Sequence, residues 1–403
     1  MNGNKKWASL SKISILIMNN IYTIADNIIT SLGFSSRENF DNLKLGKSGI
    51  KKTSDPKITQ IPLQTSIVDS KRLETEFSRI DKPEKYTRLE KMMILSITDA
   101  LKQTDIDPSK ENTLFVFSSV KGNIDLIENE NHPFDKDRIN LWAISDQVCK
   151  FFNSAVKPVF VSNACISGVT AIIVAAEYLR NGKYKNVIVC GGDIISEFTP
   201  SGFQSFKAIS DEPCKPFDAN RTGITLGEGV GTIIMTSNKD LVKEEKPVIF
   251  RGGANSNDAN HISGPSRTGD GLYYAIRNTL KEAGKTNTNI DYISGHGTAT
   301  PYNDEMESKA IKWAELEHVP VNSLKAYWGH TLGAAGIIEC IAGIHSIKEN
   351  CLIQSLGYSE HGVSEPLNVI TEFKQTEINN FLKTASGFGG SNAAAYFSEL
   401  NAD

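Results

Sequence analysis

Short runs of β-branched and apolar residues alternate along this chain with longer stretches whose apolar positions recur every three or four residues. These are the patterns of buried strands and of helices with one buried face. In order, they predict a strand over 13–18, a loop over 25–32, and a short helix over 35–45 capped by Ser35 or Ser36 and closed at Gly46. Residues 51–83 are polar and carry Pro56, Pro62 and Pro83, so they read as surface loop with short elements. Leu89, Met92, Met93, Leu95, Ile97 and Leu101 form a helical stripe over 87–101. A strand over 113–118 and a helix over 140–152 follow. A strand over 156–161 then leads through a tight turn into a helix over 169–180, which stops at Asn181-Gly182. Strands over 186–191 and 229–235 complete this half.

A charged, apolar-poor stretch at 239–246 breaks the pattern, and the same order then resumes. Strand 248–252, helix 272–283, strand 292–294, helix 304–313, strand 319–324 and a long apolar helix over 331–347 come next. Two strands, 383–386 and 393–400, flank Gly387-Phe-Gly-Gly390. Both halves run strand–helix–strand–helix and close on a pair of strands. That repeat predicts duplicated α/β halves, 12–240 and 245–403, rather than a solenoid, whose periods are far shorter.

Composition narrows the class. The chain has 403 residues, 39% hydrophobic and 22% charged, which fits a globular protein with a large core. A formal charge of −4 excludes general attraction to nucleic acid or to anionic membrane surfaces. The six cysteines, at 149, 165, 190, 214, 340 and 351, are too scattered for a disulfide framework. None stands at metal-ligand spacing from another or from the histidines, so no metal and no cofactor is expected. A reducing cytoplasm is the expected setting. Lys5, Lys6 and Lys12 precede the 13–18 run, but that run is too short for a secretory signal and Asn19-Asn20 interrupts it. Residues 1–11 read as a loose tail, and no run approaches the length of a membrane span.

Cys165 is the first candidate for chemistry. It lies on a tight Ala-Cys-Ile-Ser-Gly turn between a strand and a helix. A lone cysteine on a strand is ordinarily a buried structural residue. The strand–turn–helix context resembles a nucleophile elbow instead, and a helix N-terminus favours the thiolate by about 0.3–1 kcal/mol. Three further segments hold polar groups on short, Gly-flanked turns. Ser294-Gly-His296-Gly-Thr298-Ala-Thr300 places an imidazole just after a strand. Lys325 and His330 precede an Ala-rich helix that carries Glu339. Gly387-Phe388-Gly389-Gly390 allows backbone N–H groups to approach a ligand closely.

Taken together, Asn163-Ala-Cys165-Ile-Ser-Gly, Lys215-Pro-Phe-Asp218-Ala-Asn-Arg221-Thr-Gly223 with Gly227-Glu-Gly229, Gly295-His296-Gly-Thr298-Ala-Thr300 with Asp304 and Glu307, Lys325 with Gly329-His330, and Gly387-Phe388-Gly-Gly resemble the β-ketoacyl synthases of the thiolase superfamily. The resemblance runs from about Ala25 to the C-terminus. It implies a thiolase-like fold, two mixed five-stranded sheets in an αβαβα layering, and a dimer. It also implies decarboxylative Claisen condensation of a Cys165-bound acyl chain with a malonyl-type extender on acyl carrier protein, in fatty-acid or polyketide/polyene synthesis. His296 and His330 match the two active-site histidines, donating hydrogen bonds from neutral imidazoles to the extender's thioester oxygen. Lys325 and Glu339 match a supporting ion pair. Backbone N–H groups of Cys165 and Phe388 match the oxyanion hole, and the Phe388 ring a gate. Thr298 and Thr300 match pantetheine-binding positions, and Lys207 a carrier-facing one.

His330 is not the asparagine of initiating synthases, and residues 387–392 lack the second cysteine of thiolases. The elongating Cys-His-His class is therefore implied, as a homodimer or as a heterodimer with a related ketosynthase-like subunit. The other implied reading is a non-catalytic or decarboxylase-only partner subunit of the chain-length-factor type.

Overall fold

The first strand of the fold shows how far tertiary contacts can hide a sequence signal. In the computed structural model, which describes residues 20–128, 131–258, 260–261 and 264–402, Ile21–Ile29 is a strand whose nine residues are all buried. A loop was expected from residue 25, because Thr23, Asp26 and Asn27 interrupt the apolar run. Each of these finds a partner. Thr23 Oγ1 donates to the Val248 carbonyl at 2.9 Å, Asn27 Nδ2 donates to the Phe34 carbonyl at 3.3 Å, and Asp26 Oδ1 lies 2.9 Å from His345 Nε2. A buried polar side chain is tolerated when it is hydrogen-bonded. The strand expected over 13–18 and the tail at 1–11 lie outside the described residues.

Ile21–Ile29 is central to the sheet. On one side it pairs with Gly229–Thr236, then Asn186–Asp193, Thr113–Ser118 and Val159–Val161. On the other it meets Val248–Asn257 through three antiparallel pairs, Ile21 with Phe250, Tyr22 with Ile249 and Thr23 with Val248. Beyond that come Ser391–Glu399, Asn380–Gly387, Ile293–Ser294, Pro320–Asn322 and the short Asn368–Val369. Each half contributes five strands, as the resemblance implies, with Ile21–Ile29 as the first of the N-terminal five. Asn368–Val369 and the junction at Thr23 extend them into one continuous ladder of eleven.

Helices Arg88–Leu101 and Leu141–Phe151 cover the outer face of the N-terminal half, and Asp270–Ala283 with Pro301–Trp313 cover that of the C-terminal half. Between the two strand layers lie Ser167–Arg180 and Ala335–Glu349, each touching strands of both halves. This is the αβαβα layering. Ala335–Glu349 is apolar nearly all round, as a helix buried on every side must be. The two central helices meet at glycines. A Cβ on Gly168 would lie 2.9 Å from the Gly333 carbonyl, and one on Gly336 would lie 2.7 Å from the Val169 nitrogen. Their N-termini therefore converge, and with them the turns carrying Cys165 and His330.

Most expected elements are present within a few residues. Thr87 caps Arg88–Leu101 in a reciprocal pair with Glu90, and Ser35 caps Ser36–Lys44. Two segments differ. The polar 51–83 region forms strands Lys51–Thr53 and Leu63–Ser66 and helix Ser70–Phe77, and Phe198–Ser205 is a helix that hydrophobic spacing did not reveal. No helix among the described residues is long and apolar enough to cross a membrane.

Candidate active site

The chain leaves Val159–Val161 and turns sharply before the central helix. Ala164 sits at φ 44°, a left-handed conformation that costs energy for a residue with a Cβ. Ser167 fixes the turn: its Oγ accepts from the Asn163 N–H at 2.7 Å and donates to the Ala164 carbonyl at 2.6 Å. Cys165 is thereby presented at the floor of a cavity, almost wholly buried. Gly387 lies so close that a Cβ there would be 2.9 Å from the Cys165 nitrogen, which brings the Phe388 N–H into hydrogen-bonding range of the thiol. Burial pushes this thiol up to about 11, outweighing the Lys325 ammonium and the Phe388 N–H. The expected bias of the helix terminus toward thiolate is thus overridden by desolvation, and the resting group is a thiol.

His296 follows Ile293–Ser294 on a loop held from below by helix Pro301–Trp313. Asp304 and Glu307 lie three residues apart on one buried face of that helix. Glu307 accepts from the His296 and Gly297 N–H groups, each at 2.7 Å. Asp304 accepts from those of Thr298, Ala299 and Phe217 at 2.9, 3.1 and 2.8 Å. His330 follows Gly329, whose φ is 71°, and its N–H donates to the Thr225 carbonyl at 2.7 Å. The two imidazoles meet nearly edge to face, with ring centroids 5.3 Å apart and planes at 85°.

Burial, and then the Lys325 ammonium, hold both histidines well below the usual imidazole range, so both are neutral. Neither ring nitrogen of His330, nor Nδ1 of His296, has a hydrogen-bond partner among the described residues. Buried polar atoms left without partners in a cavity wall are positioned for a ligand.

Behind the histidines, Lys325 is fully buried. Its Nζ donates to the His296 carbonyl at 2.6 Å and to Glu339 Oε1 at 2.7 Å. A second buried lysine, Lys383, lies 2.7 Å from Glu339 Oε2. Lys383 was not anticipated. Its only sequence signal is a cation within the otherwise apolar Phe381-Leu-Lys-Thr-Ala385 run.

Cys165, His296, His330, Thr298, Thr300, Lys207 and Phe388 all line one cavity of about 340 Å³. Lys325 and Glu339 stand behind it. The hydroxyls of Thr298 and Thr300 lie 2.8 Å apart on the wall, and Lys207 is exposed at the mouth. Phe388, 37% exposed, stacks on Phe203 and meets Phe206 edge-on, both at 5.4 Å. Phe203, Phe206 and Tyr302 also line the cavity. They went unnoticed because no motif surrounds them. A buried thiol, two neutral imidazoles and a backbone donor converging on one cavity define a site for acyl transfer through a covalent thioester.

Comparison with known proteins agrees. Residues 18–240 match the Beta-ketoacyl synthase N-terminal domain and 248–359 its C-terminal domain. A Schizosaccharomyces pombe protein described as a mitochondrial 3-oxoacyl-[acyl-carrier-protein] synthase is 29% identical, over 92% of this chain and 97% of that protein. The chloroplastic 3-oxoacyl-[acyl-carrier-protein] synthase I of Hordeum vulgare is 33% identical over 59% of this chain, an alignment that spans about half, 54%, of that relative. Among solved structures, the ketosynthase ApeO in complex with its chain length factor ApeC from Xenorhabdus doucetiae superposes with a TM-score of 0.83 at 25% identity, over 95% of this chain and 98% of that one. The chain belongs to the β-ketoacyl synthase family. It is an acyltransferase of the 3-oxoacyl-[acyl-carrier-protein] synthase type, catalysing decarboxylative Claisen condensation.

Proposed function

We propose the following division of labour. Cys165 Sγ attacks the carbonyl of a carrier-bound acyl thioester and expels the carrier thiol with its proton, leaving the acyl chain on the enzyme. A malonyl thioester then binds with its carbonyl oxygen at His296 and His330. Loss of CO2 leaves an enolate, whose charge the two imidazole N–H groups stabilise. Its carbon attacks the Cys165 thioester, and the acyl oxygen is held by the N–H groups of Cys165 and Phe388. Collapse expels the cysteine thiolate, which regains a proton, and releases a 3-oxoacyl thioester on the carrier.

Lys325 and Glu339 orient the His296 loop. Thr298 and Thr300 bind the pantetheine arm, and the Phe388 ring, leaning on Phe203 and Phe206, gates the extender pocket from the acyl pocket. The protein works as a dimer, with itself or with a related subunit, in the cytoplasm.

The convergence of Cys165 with two neutral, unpartnered histidines carries this reading. It is tested by incubation with an acyl-carrier thioester and intact-mass measurement. A stoichiometric acyl adduct mapped to Cys165, discharged as a 3-oxoacyl product when malonyl carrier is added, is expected. Malonyl decarboxylation without any adduct contradicts this reading and favours a partner subunit.

Acyl carriers are acidic, whereas this chain is itself slightly acidic, so recognition must rest on local charge. Lys207 at the cavity mouth supplies it. Lys207→Glu is expected to raise the KM for carrier-bound substrate roughly threefold to tenfold at low salt, less at high salt, by loss of electrostatic steering. Reaction with a small pantetheine thioester stays unchanged; an equal loss with both substrates would place Lys207 in the site's architecture instead.

A further inference from the structure

We propose that Lys383 is a positioning residue for decarboxylation: its side-chain nitrogen clamps the backbone that presents His296. The inference rests on the roles assigned above to His296 and His330. Lys383 Nζ lies 3.0 Å from the Ser294 carbonyl, 2.9 Å from that of Gly295 and 2.7 Å from Glu339 Oε2. All three are acceptors. The two carbonyls take hydrogen bonds, whereas Glu339 Oε2 lies at ion-pairing distance without hydrogen-bond geometry.

Lys325 takes the next carbonyl, that of His296, and the other oxygen of Glu339. Three successive carbonyls, 294 to 296, are therefore fixed by two lysine side chains that flank one carboxylate. The adjacent Thr384 adds a second hold, donating at 2.7 Å to Glu307 Oε1, which itself accepts from the His296 N–H. Stability does not account for a second buried lysine here, since replacing a buried ion pair by an apolar core of the same shape is often neutral or stabilising.

The ionisable groups facing the imidazoles are Lys325 and Lys383 behind them, the opposite imidazole, and Cys165 in the same cavity wall. Glu339 and Glu307 back the loop. Burial first, then Lys325 and last Lys383, oppose protonation of the rings and keep both as neutral donors.

The test compares Lys383→Met with the double variant Lys383→Met/Glu339→Gln. Lys383→Met leaves Glu339 paired with Lys325, whereas the double variant also removes the charge of that carboxylate. In both, decarboxylation kcat is expected to fall about tenfold to hundredfold because the loop is unclamped, with malonyl KM within about twofold and Cys165 acylation within about threefold. Burial and Lys325 come before Lys383 as causes of the low imidazole basicity, so both variants keep the flat wild-type pH profile and the loss is confined to kcat. Wild-type decarboxylation in either folded variant overturns the proposal, as does an equal loss of acylation and decarboxylation. Should Lys383→Met fail to fold, the double variant decides: a lowered decarboxylation kcat with acylation retained supports the proposal, and a wild-type kcat overturns it. A wild-type enzyme that neither acylates nor decarboxylates removes the underlying reading, a result distinct from one confined to Lys383.

Discussion

Cys165→Ala abolishes acyl transfer while the fold persists. The expected loss in condensation is at least about 10⁴-fold, the scale seen when a covalent nucleophile is deleted and only binding and polar stabilisation remain. The substitution removes one sulfur from the floor of a cavity and leaves the Ser167 hydrogen bonds that hold the turn, so thermal stability should move little. Malonyl decarboxylation should survive, because His296, His330 and the lysines behind them are untouched. The pH dependence has a definite sign. Burial raises the thiol to about 11, so the reactive thiolate is a small fraction near neutrality. Alkylation of the free wild-type enzyme by iodoacetamide therefore increases with pH without reaching a plateau below about pH 10. Condensation by the alanine variant at the wild-type rate, measured by product mass, would remove Cys165 as the nucleophile.

His330→Ala gives the second largest effect. It should still accept acyl groups at Cys165 but lose decarboxylation by about 10² to 10³-fold, the cost of deleting one oxyanion donor in a buried site. His330 is fully buried and neither ring nitrogen has a partner among the described residues, so no protein hydrogen bond is lost with the ring. Both histidines are held below the usual range, and proton uptake falls to the acid side of that range. Wild-type decarboxylation should accordingly show no histidine titration between about pH 6 and 8. Single-turnover acylation and release of labelled CO2, measured separately, decide the matter. If acylation fails while decarboxylation survives, the roles are reversed.

The sequence by itself determined the duplicated strand–helix order, the turn bearing Cys165 and the Gly-flanked loops bearing His296, His330 and Phe388. These are local properties: apolar periodicity, capping residues and glycine freedom act within a few residues and are visible one segment at a time. Cysteine, histidine, lysine and glutamate in such settings also restrict the chemistry to a short list. Only the tertiary structure decided how those groups behave. Asp26 breaks a strand signal that is restored by His345, far along the chain. The thiol of Cys165 is raised by desolvation that no neighbouring residue reveals, and Lys383 becomes a clamp on the His296 loop only because oxygens from two distant segments close around it. Burial and long-range pairing depend on what the fold brings together, and at this site they set both protonation and geometry.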